Sequence, residues 1–301
     1  DHFTFLQEYA GKKFMDVVEI LGGTRLLTVE ERREIEERRE KWEQAEKDRI
    51  QRTRSAVETI FAEAAPIAGT HAAAYLEARG MRVSKNWTFD LRFTANLKYR
   101  GYPGGDADQE VDLGAFPAMV AAIRNTSGAI IGLHRTYLDK SEPKKLSPPG
   151  DQKRNRAKKI MGEQRGGLIY LSPPAPILAM GEGIETTRSW SALGLIDADI
   201  AIAAAVSLGN LSGGSLGTER HPKDASKRIP NGLPDMDHPG VVLPEVVREV
   251  IELGDGDSDP FMTRARLLVA ARRFRKQGRT VSVSMAPAGM DFNDVLMAGD
   301  Q

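Results

Sequence analysis

PILAMGEGIETT, residues 176–187, is the stretch that decides how this chain folds. Residues 176–180 form a short apolar run that fits a buried strand, and Gly181-Glu182-Gly183 breaks it. The spacing that follows predicts a helix over 184–193. The same grammar recurs downstream. IAIAAA (200–205) reads as a second strand, and REVIEL (248–253) as a third that runs into GDGDSDP (254–260). A helix is expected over 260–277, then a strand at RTVSVSM (279–285), followed by Gly289-Met290-Asp291-Phe292-Asn293-Asp294. Short apolar strands separated by helices predict an α/β unit with a parallel sheet covered on both faces. Such sheets bind ligands outside the carboxyl ends of their strands. Three acidic motifs stand at those ends, and a polar insertion over 209–240 interrupts the pattern.

The acids have a chemical use. If the segment after residue 254 is extended, alternate residues point the same way, and Asp255, Asp257 and Asp259 converge. Clustered carboxylates raise one another's pKa unless a cation neutralises them. A divalent metal there would bridge phosphate oxygens and activate a hydroxyl nucleophile. Plainer readings compete. DxDxD after a strand also suits a polar turn or a calcium loop, although an EF-hand would need Glu where Arg266 stands. A glutamate in a Gly turn also suits a favourable charge at a helix N-terminus.

Composition narrows the metal. Cysteine is absent, and the five histidines are scattered (His2, His71, His134, His221, His238), so disulfides, thiol nucleophiles and a Zn²⁺ site are not expected in this fragment. Oxygen ligands alone favour a hard cation, Mg²⁺ or Mn²⁺. No run approaches the roughly 18 apolar residues of a membrane span. The chain opens on Asp1, without an initiator Met or a signal sequence, which predicts a piece of something longer.

Net charge is zero, but its distribution is uneven. Between residues 135 and 165, ten basic residues (Arg135, Lys140, Lys144, Lys145, Lys153, Arg154, Arg156, Lys158, Lys159, Arg165) face four acids (Asp139, Glu142, Asp151, Glu163). That excess suits a polyanion, with a solvated basic loop as the alternative. Upstream, residues 3–21 read as two short helices broken at Gly11. Thr28 with Glu31 forms a capping box for one long charged helix to about Ala65, rich in i,i+4 ion pairs and poor in apolar residues, which reads as an exposed connector. Residues 66–165 turn to mixed α/β, with a helix at 70–79 ending on Gly80 and strands at 87–93, 117–124 and 129–138.

The motifs GLHRTYL (132–138), KKIMG (158–162) with Gly166-Gly167, MGEGIETT (180–187), GDGDSDP and PAGMDFNDVL (287–296) together resemble the TOPRIM domain of bacterial-type DNA primases, in the form seen in phage and mobile-element primases and primase-helicases. The resemblance spans about residues 128–300. It implies a TOPRIM-type parallel sheet over 166–301, preceded by a basic primase subdomain over 66–165, a connector helix over 28–65, and at 1–27 the remnant of an upstream zinc-binding domain. It implies an RNA primase, a nucleotidyltransferase that joins nucleoside triphosphates on a single-stranded DNA template. A replicative or fused helicase would be the partner, in the bacterial cytoplasm or nucleoid. The family's general-base glutamate matches Glu182. Its metal-binding acids match Asp255 and Asp257, with Asp259 and Asp291 as further ligands and Glu185 and Asp294 as accessory acids. Nucleotide and DNA phosphates would fall to Arg135, Lys144, Lys145, Lys158 and Lys159. Two positions depart from the pattern: Thr186 and Asn293 stand where the family usually has Asp. A TOPRIM nuclease, or a degenerate DNA-binding or helicase-tethering module, would carry much of the same sequence.

Overall fold

In a computed structural model of the chain, the residues described are 17, 29–83, 89–194 and 200–299. Apart from Val17, which is helical, the segments expected at 1–27 and the Thr28 cap lie outside them. The chain divides into two compact units, residues 1–52 and 53–301. Helix α1 (Val29–Glu63) begins in the first and ends in the second. Its first-unit portion carries the expected ladder of ion pairs, such as Arg39–Glu43 at 2.8 Å and Arg49–Glu46 at 2.6 Å.

Past residue 52 the helix is no longer a mere connector. Val57, Ile60, Phe61 and Ala64 fall at i, i+3, i+4 and i+7, one face of a helix. Val57, Phe61 and Ala64 are buried, in a cluster with Tyr99, Val120, Leu133 and Tyr137. That cluster covers one face of an antiparallel sheet made in order from β1 (Ala65–Pro66), β2 (Leu91–Gly101), β3 (Val111–Arg124), β4 (Ile130–Tyr137) and β5 (Lys158–Gly162). Helix α2 (His71–Glu77) is capped by the Thr70 side chain, and Gly80 takes φ +76° three residues beyond it. The basic stretch 139–165 contains the edge strand β5, because Lys158–Gly162 pairs with β4.

The second sheet holds β6 (Ile169–Tyr170), β7 (Ile177–Gly181) and β8 (Ile200–Ala204), with α3 (Ile184–Ala192) between the last two. After α4 (Leu208–Ser212), the insertion forms a hairpin of β9 (Thr218–His221) and β10 (Asp224–Pro230). The chain then re-enters the sheet as β11 (Glu249–Gly254), crosses over in α5 (Pro260–Lys276), returns as β12 (Thr280–Met285) and ends in α6 (Phe292–Gly299). Strand order is β12-β11-β7-β8-β6; the first four run parallel and β6 is antiparallel to β8. Ile184 and Trp190 of α3 with Phe292 and Leu296 of α6 pack on one face. On the other lie Leu267, Ala270, Ala271 and Phe274 of α5.

The two sheets are tied at one point. Asp90, fully buried, accepts from Arg124 Nε at 2.7 Å and from the Tyr170 backbone N–H at 3.1 Å. Arg124 and Leu168 exchange backbone hydrogen bonds of 2.8 and 2.9 Å across the same seam. Burial pushes the Asp90 carboxyl up, and the Arg124 guanidinium opposes it. Met119, Ala121 and Ile123 of β3 share one apolar core with Ala179, Ile202 and Leu253 of the second sheet.

One core residue breaks the apolar rule. Glu252 of β11 is fully buried and neither carboxylate oxygen has a hydrogen-bond partner among the described residues. Burial pushes its carboxyl up to about 8, against the attraction of Arg273 and Arg275. The unfolded chain releases that proton near pH ~4, so stability falls as pH rises from about there toward 8. Glu252→Gln is expected to gain on the parent protein's unfolding free energy progressively from about pH 4 to about pH 8, and to gain no more above that. Denaturant melts across that range check it.

Candidate active site

The strand ends build the site. Gly181 closes β7, and its backbone N–H is held by Thr187 Oγ1 at 3.2 Å, so Glu182 projects at the rim. Gly254 closes β11, and the chain then turns at once. Gly256 N donates to Met290 O at 2.9 Å and Gly289 N to Gly256 O at 2.8 Å, which lashes the second acidic loop to the third. A side chain at Gly256 would strike the Pro287 backbone oxygen, so the glycine serves packing between loops. These loops and the antiparallel sheet border a cavity of about 300 Å³ lined by Glu182, Thr186, Asp255, Asp257 and Asp291, and also by Arg79, His134, Lys145 and Lys158 with Glu185 beside the lysines.

The carboxylates feel one another. Burial pushes the Asp255 carboxyl up to about 6; Asp291, Asp257 and Glu182 add to the rise, and a 3.2 Å hydrogen bond from Thr186 Oγ1 to Oδ2 opposes it. Thr186, standing where the resemblance leads one to expect an acid, thus supplies a donor to a crowded carboxylate. The other oxygen, Asp255 Oδ1, is buried without a partner among the described residues. An orphaned carboxylate oxygen facing further acids suits a hard cation. Among the described residues, no three His, Asp or Glu side chains are grouped so that they could hold a metal ion as they stand.

Several expected site residues sit elsewhere. Asp259 is the N-cap of α5: its Oδ1 accepts from Phe261 N at 3.0 Å and Met262 N at 3.2 Å, and its carboxylate pairs with His221 at 2.9 Å. Asp-Pro at a helix start favours that role, with Pro260 at N1. The segment is not extended, so the alternation that would have joined Asp259 to Asp255 and Asp257 does not operate. Asp294 and Asp291 form a reciprocal cap on α6, with bonds of 2.7 and 3.0 Å; Asp291 still lines the cavity and Asp294 does not. Asn293 is buried and donates to Arg79 O at 2.7 Å and Ser189 Oγ at 3.1 Å, an amide tie between helices.

The basic residues divide likewise. Neighbours on a strand face opposite ways, and β5 separates the lysine pair. Lys158, opposite Thr136, enters the cavity with His134. Lys159, opposite Arg135, turns to the other face, where it binds Glu110 at 2.8 Å and lines a second cavity with Arg135. Lys144 is exposed and pairs with Glu142 at 2.7 Å. Glu185, expected to be a first-turn charge or an accessory acid, is buried. It accepts from Tyr75 OH at 2.8 Å, from Lys158 at 2.9 Å and pairs with Lys145 at 3.5 Å. Burial raises its pKa, but the charges of Lys158 and Lys145 outweigh that and hold the carboxyl far below its usual range. His134 is held down at about 4 by burial and by the Lys158 charge, so it is a neutral imidazole at pH 7. Sequence reading did not single out Arg79, His134 or Tyr75; the first two reach the cavity, and Tyr75 reaches Glu185, through tertiary folding.

A family described as a domain of unknown function (DUF7146) matches residues 51–171. No curated protein matches the chain. Solved structures similar to it include a DNA primase domain from Pseudomonas aeruginosa, at 15% identity over 82% of this chain and 74% of that one, with a TM-score of 0.42. A DnaG primase catalytic domain bound to ssDNA is 16% identical over 84% and 77%, with a TM-score of 0.44. The primase fragment of the bacteriophage T7 primase-helicase is 13% identical over 67% and 63%, with a TM-score of 0.34.

Removing charge from the crowded wall is expected to relieve repulsion. Without divalent ions at pH 8, Asp255→Asn should melt at the parent temperature or above it. Mg²⁺ should then raise the parent's melting temperature and leave the variant's unchanged. Thermal unfolding with and without Mg²⁺ reads both.

Proposed function

We propose that this cavity joins nucleoside triphosphates into a primer on single-stranded DNA, as the catalytic core of a TOPRIM-type primase. The observation that carries the reading is the pairing of walls. Acids from the ends of β7 and β11 and from the loop after β12 share one cavity with cations from the turn after α2, from β5 and from the loop before it. A triphosphate with its counter-cation needs both. The four parallel strands, with Glu182 after β7 and Asp255 after β11, support a TOPRIM-type sheet.

In this reading Asp255 and Asp257, with Asp291 and Glu182, hold Mg²⁺. When bound, the ion offsets phosphate charge and lowers the pKa of the attacking hydroxyl. Lys145, Lys158 and Arg79 hold phosphate oxygens of the incoming nucleotide. The primer 3′-oxygen attacks the α-phosphorus, the bond to the β-phosphate oxygen breaks, and pyrophosphate leaves. Glu182, half-buried at the end of the neighbouring strand β7, takes the hydroxyl proton. Template strand, helicase partner and a place in the bacterial cytoplasm follow from the same resemblance. No described helix is long and apolar enough to cross a membrane.

Primer synthesis with labelled ribonucleotides, Mg²⁺ and a single-stranded template tests this directly. Template-dependent products are expected. Asp257→Asn should abolish them, and Glu182→Gln should lower kcat by about 10²–10⁴ with KM for nucleotide nearly unchanged. Cleavage of plasmid DNA with Mn²⁺ in place of synthesis would assign the same carboxylates to a nuclease. DNA binding with neither activity would make the chain a tethering module.

A further inference from the structure

Glu185 is not explained by catalysis. It borders the cavity beside the two lysines it binds and is nearly inaccessible, while they keep 39% and 37% of their side-chain surface exposed. Tyr75 OH on Oε1 anchors the carboxylate from α2, and the short helix α3 fixes its backbone. The lysines approach from a different direction, Lys145 from the loop after β4 and Lys158 from β5. Every ion pair recorded for Lys145 and Lys158 among the described residues goes to Glu185. The same cavity is lined by Arg79, another cation, and by His134, whose Nδ1 is buried without a partner among the described residues.

We infer that Glu185 is a resident counter-anion: it occupies the lysine pair in the place of a ligand's phosphate group, and so sets how tightly the cavity holds polyphosphates. The inference rests on the reading of the cavity as a nucleotide-polyphosphate site and adds a residue that tunes it. The carboxylate is anchored, so an arriving phosphate does not push it away. The lysines, long and half-exposed, must share their N–H groups or swing outward, and the phosphate must approach a fixed negative charge. Each ammonium carries three donors, so both can remain on Glu185 while the repulsion is felt. Glu185 is therefore a positioning residue for the two cations, and its net effect on a polyanion is opposing. The contrary role, in which Glu185 preorganises the lysines and so strengthens binding, predicts the opposite sign.

Calorimetric titration of inorganic tripolyphosphate into the whole chain, without divalent ions, separates the two. Glu185→Gln keeps the side-chain shape and removes the charge, so Kd is expected to fall about tenfold, as the loss of one nearby like charge implies. Adding Lys158→Ala to that variant should erase the gain. Where Glu185→Gln shows no cooperative melt, Glu185→Asp replaces it, drawing the carboxylate back by one methylene, and a smaller tightening of the same sign is expected. Binding that is unchanged or weaker in the folded variant overturns the inference, and so does a gain that survives Lys158→Ala. The readout does not use primer synthesis. A parent protein that makes no primer refutes the functional reading and leaves this result interpretable, and unchanged tripolyphosphate binding removes Glu185's role while primer synthesis stands.

Discussion

Like charges forced together at the carboxyl ends of parallel strands are the constraint on which this structure turns. Strand order places β7 beside β11, so the residues after them, Glu182 and Asp255, are neighbours by topology. Burial raises the Asp255 carboxyl, and the charges of Asp291, Asp257 and Glu182 add to that rise. The chain meets it with a hydroxyl donor from Thr186, while Lys145 and Lys158, which line the same cavity, pair with Glu185. One wall of the cavity is incomplete without the other. The seam that joins the sheets therefore belongs to the site as much as to the fold.

That seam is held by a small number of polar contacts inside an apolar core. Asp90 bridges Arg124 and Tyr170, and β3 shares its apolar side chains with the second sheet. Removing one partner of a buried ion pair typically costs 3–5 kcal/mol, since the other charge is left uncompensated. A shift at this seam would also move Lys158, whose strand pairs with β4 and through it with β3. Stability and electrostatics are coupled here through strand register.

Much of the second sheet was legible in the sequence because each element carried its own signal. The strand before Gly181, the Asp259-Pro260 start of α5 and the strand before Ala286 needed no tertiary information. Two-residue strands such as β1 and β6 carry no period to read. The hairpin over 218–230 is charged throughout and shows no alternation that marks a buried face. The site was legible as residue types more than as arrangement. Reading Lys158 and Lys159 as one patch ignored the period of a strand, which separates them. Reading Asp259 with Asp255 assumed an extended segment where proline begins a helix. Arg79, His134 and Tyr75 had no local signature, since their chemistry comes from what α2 and β4 are packed against.

Anomalous diffraction from crystals soaked in Mn²⁺ with tripolyphosphate locates both ligands at once. The account predicts manganese on the Asp255–Asp257 side of the cavity, within reach of Asp291 or Glu182, and phosphorus density against Lys145 and Lys158. Manganese at the Asp259–His221 pair, or no ion at the strand ends while the polyphosphate is bound, would contradict it.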